Sequence, residues 1–173
     1  ARFYRAMSIT EGIRNAVYLA LAILYFRSII SFIISLRQGY FFMPSIRVSM
    51  YSITYAIAFL ALLPLLWLLI IYSQSVFINR IGNFFGGAGN LEGAFKVIAY
   101  AMLISVFMLI PFVGIIFGFY AVAVLVIGVK EVFNIDWIST VLTIIFAYTF
   151  TAFLYILLFG IPAFLTKALA INI

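Results

Sequence analysis

Gly86 to Trp137 reads GGAGNLEGAFKVIAYAMLISVFMLIPFVGIIFGFYAVAVLVIGVKEVFNIDW, a pattern of membrane-spanning helices. It opens on a glycine-rich loop, continues as two apolar segments separated by Pro111, and leaves through a short charged exit from Lys130 to Asp136. Asn90 is placed to cap a helix, and Glu92 in the first turn suits the positive end of the helix dipole, so a span over 91–110 follows. One uninterrupted helix from Ala94 to Val129 would be about 54 Å long at 1.5 Å per residue, well beyond a hydrocarbon core of about 30 Å. Pro111 to Gly114 therefore reads as a tight hairpin that starts a fourth span over 112–129. Asp136 stands at the N-cap of a last span over 137–160, which Gly160 and Pro162 end.

Two further spans precede this stretch. The first, over 16–36, contains Arg27 near its middle. Its twelve Val, Leu, Ile and Phe residues favour insertion, by roughly 4–7 kcal/mol in sum against about 3 kcal/mol for a central Arg. Arg27, Ser28, Ser31 and Ser35 fall on one side of that helix, which should face protein or water rather than lipid. The run Tyr40-Phe41-Phe42 and Pro44 suits a short loop at the headgroup level. The second span, over 48–78, is long enough to tilt and carries Pro64, which would kink it. Residues 79–93 break the apolar pattern with five glycines, three asparagines and Phe84-Phe85.

The composition agrees with this. Of 173 residues, 68% are hydrophobic, 19% aromatic and only 8% charged, where soluble domains carry about 25% charged residues. The chain reads as all-α: one transmembrane domain over 1–173, a polytopic helical bundle of about five spans in contact with the lipid bilayer. The Lys and Arg balance sets Arg2, Arg5, Arg14, Arg80, Lys96 and Lys130 against Arg37, Arg47 and Lys167, which predicts a cytoplasmic N-terminus. The net charge of +6 is dispersed singly between apolar segments and forms no phosphate-binding patch, so nucleic acid is not expected as a partner.

Candidate functional residues are few, because the chain contains neither Cys nor His. That removes thiolate and imidazole metal sites and every mechanism that uses a Cys nucleophile or an imidazole base. Intramembrane serine or aspartyl catalysis would need a base, or two carboxylates, at depth, and the single Asp lies at a span boundary. No enzyme, cofactor or metal is expected. Arg27, with Ser31 beside it, is the candidate functional polar pair, since charges inside a span are functional candidates by default; snorkelling or hydrogen bonding to helix carbonyls is the plainer alternative. Phe84, Phe85, Gly86, Gly87 and Gly89 form a candidate partner loop. Its plainer reading is a flexible linker, because the glycines match no nucleotide-binding fingerprint. Gly114 and Gly118, four residues apart, allow a second helix to approach closely, within the chain or in a homodimer.

Gly86, Gly87 and Gly89, followed by Phe95-Lys96, Tyr100, Pro111 and Gly128-Val129-Lys130-Glu131, resemble the pattern of the Yip1 family of polytopic membrane proteins, from the second span onwards. The resemblance implies a domain of about five spans. In eukaryotes it implies roles in membrane traffic with Rab-type small GTPases and vesicle coats, through a cytoplasmic N-terminal region of which residues 1–15 would be the counterpart here. That GTPase-binding role is not carried over. A prokaryotic-type relative in the cell membrane is the closer expectation. Three functions follow: a non-catalytic scaffold or adaptor acting through protein contacts; an accessory subunit of a larger membrane complex, or a self-associating one; and a small transporter or channel, for which inverted repeats or broken helices would be the signature.

Overall fold

A backbone surrounded by hydrocarbon has only itself to hydrogen-bond, and apolar runs of this length therefore close their bonds as helices. The computed structural model describes residues 12–38, 53–109 and 113–157, and every regular element among them is helical. They are α1 (Ile13–Gln38), α2 (Ile53–Phe84), α3 (Leu91–Ser105) with a 3-10 turn at Val106–Leu109, α4 (Val113–Phe133) and α5 (Trp137–Tyr155). Among the described residues, α1, α2, α4 and α5 each offer a stretch long and apolar enough to cross a membrane. The protein is a multi-pass helical bundle. The aromatic run Tyr40-Phe41-Phe42, the hairpin at Pro111 and the tail from Gly160 lie outside the described residues.

The fifteen-residue α3 is the axis of the bundle, in broad contact with α1, α2 and α4, while α5 packs on the outer side of α2. Gly93 to Ala99 are buried without interruption. Small residues make this enclosure possible: Gly93, Ala94, Ala99 and Ala101 let three helices close on α3 at short range, where dispersion supplies the attraction that lipid does not. On α1 the buried positions Ala16, Ala20, Ile23, Leu24 and Ser28 form one helical stripe. On α5 the stripe is Thr140, Thr143, Ala147 and Thr151. Each of those threonines donates its Oγ1–H to the carbonyl four residues back, at 2.7–2.8 Å, which satisfies the hydroxyl locally and presents only a small side chain to the neighbour.

The opposite faces are apolar and uncovered. Ile115, Ile116, Phe119 and Ile138 are each about two-thirds exposed or more. In each crossing stretch only 22–28% of the residues are buried inside the bundle. Such a surface is stable against acyl chains and untenable in water.

Several helices run past the limits read from sequence. The second helix continues from Ile78 to Phe84, since Asn79 and Arg80 interrupt apolarity without interrupting helix geometry; Pro64 lies buried within it. The fourth continues through Lys130 and Glu131 to Phe133, for the same reason. The third gives up α-helical geometry at Val106 and finishes as the 3-10 turn. Both helix starts expected from capping are present: Asn90 Oδ1 accepts the Gly93 N–H at 2.8 Å, and Asp136 Oδ2 accepts those of Ile138 and Ser139 at 3.0 and 3.1 Å.

Candidate functional site

The glycine loop is built on the exit of α2. Gly86 takes a φ of +84°, a left-handed conformation that favours glycine. Its N–H donates to the Asn83 carbonyl and that of Gly87 to the Gly82 carbonyl, both at 3.0 Å. This 5→2 and 6→1 pair is a Schellman stop, which turns the chain out of the helix and satisfies two orphan carbonyls. The chain then crosses the end of α4. The Ala88 N–H donates to the Phe133 carbonyl at 3.0 Å, so the loop after α2 caps the last turn of α4. α4 ends on its own left-handed residue, Asn134, at φ 54°.

The fully buried ring of Phe133 fills the space that the glycines leave. A Cβ at Gly89 would stand 2.5 Å from Phe133 Cδ1, one at Gly82 would stand 2.7 Å from the same atom, and one at Gly87 would meet the Gly82 carbonyl oxygen at 2.8 Å. Gly93 faces Val132 in the same way, at 2.6 Å from its Cγ1. The expected flexible linker is therefore a fitted cradle: three glycines around one ring, and a fourth against its neighbour. Below it, buried Lys96 lies 2.7 Å from Glu92 Oε1, one helical turn back on α3. That pairing keeps a charge inside the bundle compensated.

What this end presents outward is aromatic and polar. Phe84 is 84% exposed and meets Phe85 edge-on, at 5.6 Å between centroids. Trp137 is more than half exposed, with Lys130 Nζ 4.9 Å over its ring. Asn83, Ala88, Asn90, Asn134 and Asp136 are exposed around them. The Asp136 carboxyl is held below its usual pKa by hydrogen bonding to the Ser139 side chain, then by the Ser139 and Ile138 amides.

The other candidates gather far from this face. Arg27 lines a cavity of about 360 Å³ within the bundle, and Gly118 forms part of its opposite wall. Ser31 lies one turn further along α1, and its side chain is outside the described residues. Gly114 is buried in the first turn of α4. The structure thus brings Gly87 and Gly89 together at one end, Arg27 and Gly118 together in the interior, and leaves the two groups apart. Sequence reasoning missed Phe133 and Gly82, although Gly82 precedes the glycine run and Phe133 closely follows Gly128-Val129-Lys130-Glu131. It also missed Trp67, Gln74 and Tyr148 of the cavity wall, which no local spacing connects.

The stretches that meet at the loop end, the glycine run with the start of α3 and the last turns of α4, are the ones that carry the family pattern. The family model described as Yip1 domain matches residues 1–161. The chain belongs to the Yip1 family. Comparison with curated proteins and with solved structures finds no match. For this Yip1 protein the cradle gives the motif a physical meaning: Gly87 and Gly89 are positions where any side chain would displace Phe133 or the α2 carbonyl of Gly82, and Gly86 supplies the left-handed turn. Among the described residues no three Asp or Glu side chains lie together as a metal site would need.

Proposed function

We propose that this Yip1 protein is a non-catalytic membrane adaptor, and that the joined ends of α2, α3, α4 and α5 are the face it offers to a protein partner. One observation carries the reading: the loop 85–90 is clamped to α4 through the Phe133 cradle and the Ala88 bond, so Phe84 and Trp137 are held out on a fixed platform. A preformed face loses little entropy on binding, and exposed aromatics are enriched at protein interfaces. The basic residues Arg14, Arg80 and Lys130 support a cytoplasmic position for this face, in a prokaryotic cell membrane. An accessory subunit of a larger complex would use the same surface.

The test places a photoreactive benzoylphenylalanine at Phe84 and irradiates the native membrane. A discrete protein adduct is expected, and it should be lost when Gly89→Ala disturbs the platform. Adducts to lipid alone would mean that Phe84 is only an interfacial anchor, and would overturn the adaptor reading.

A further inference from the structure

The interior cavity has the make-up of a ligand site and lies where only a membrane-dissolved ligand would meet it. All five helices line it, and every lining residue falls within about six residues, or ~9 Å along the axis, of its helix's midpoint. The cavity therefore sits at mid-depth in the bundle. Its volume of about 360 Å³ lies within the range of small-molecule pockets, about 300–1,000 Å³.

Most of the wall is aliphatic, including Leu24, Ile70, Ile98 and Leu125. The polar residues of the lining are Arg27 and Ser28 on α1, Gln74 on α2 and Tyr148 on α5. These groups are rich in hydrogen-bond donors, none of the lining residues is acidic, and the only formal charge they bring is positive. The chemistry that matches is a single anionic head on an apolar body. The way in is lateral. Val122 of α4 and Tyr148 of α5 line the cavity and are 57% and 41% exposed. They lie where α4 and α5 touch each other far less than α4 touches α3 or α5 touches α2. A solute entering between them comes from the lipid, which disfavours a free aqueous anion.

We infer that this cavity binds a membrane-dissolved amphiphile with one anionic head, its acyl chain in the aliphatic part and its head on Arg27, Ser28 and Gln74. This goes beyond the adaptor role and rests on residues at the far remove from that face. The ligand's head is a carboxylate or a phosphate, and the arms of the test separate a free fatty acid from an anionic phospholipid.

Trp67 lines the cavity and Trp137 is the chain's other tryptophan, so Trp137→Phe leaves a single reporter in the wall. The full-length variant in neutral phosphatidylcholine bilayers is titrated with dibromostearate, with brominated phosphatidylglycerol, or with brominated phosphatidylcholine as the neutral control. Saturable quenching of Trp67 by one anionic probe, at mole fractions where the neutral lipid quenches only in proportion to its amount, is expected. Whichever anionic probe saturates at the lower mole fraction identifies the source. Arg27→Gln should raise the half-saturation point roughly tenfold, the loss of one charge-assisted contact. Ala121→Leu, which fills the wall without touching the polar groups, should abolish saturation even if Arg27→Gln fails to fold. Proportional quenching by all three probes, or saturation indifferent to both substitutions, overturns the inference.

Discussion

Asp136 is the N-cap on which α5 starts. Its carboxylate accepts the Ile138 and Ser139 amides, and its pKa is depressed by Ser139, first through the side chain and then through the backbone. A carboxyl depressed in the folded state contributes stability that is complete above its unfolded pKa, about 3.9, and is lost as the pH falls through the lower folded value. Asp136→Ala should therefore lower the melting temperature in detergent by a constant amount from neutral pH down to about pH 5, and by a shrinking amount below about pH 4. A difference independent of pH would remove the charged cap from the account. Asn90 and Asp136 were legible as caps because capping is local, a side chain and the amides two or three residues on. Lys96 was not legible as a buried charge. Its partner Glu92, one turn earlier, is visible in sequence, but the depth to which α3 is enclosed is a property of three other helices.

At the level of elements, the joint between α2, its exit loop and α4 depends on glycines that leave room for one ring. Adding a methyl at Gly89 pushes into three carbons of Phe133, all within 2.7 Å. Gly89→Ala should destabilise the bundle by about 1–3 kcal/mol, the usual cost of overpacking. Phe133→Leu in the same chain should restore part of that loss, since the shorter side chain vacates the contested volume. Thermal unfolding of the two single variants and the double variant measures the coupling. Strictly additive losses would show that Gly89 and Phe133 do not compete for space. The glycines were conspicuous in sequence, yet glycine has two physical uses, freedom and absence. The sequence pointed to freedom, which only Gly86 uses here; at Gly82, Gly87 and Gly89 the use is absence. Deciding between them requires the residue on the other side of the gap, and Phe133 lies more than forty positions away.

For the molecule as a whole, hydropathy settled the class, because a chain so poor in charge has one solvent in which it can be stable. The order of packing was not legible. Hydropathy treats α3 as one span among five, whereas its run of small residues makes it the enclosed axis, and the mid-depth cavity arises only where all five helices converge. On this reading the loop end is a rigid part of the bundle, formed before any partner arrives. Backbone amide exchange of the full-length protein in lipid nanodiscs tests it at one atom, the Ala88 N–H, which lies in an exposed loop and donates to the Phe133 carbonyl. Exchange as slow as in the helices that flank the loop is expected. Exchange at the rate of an unstructured glycine segment would contradict the account.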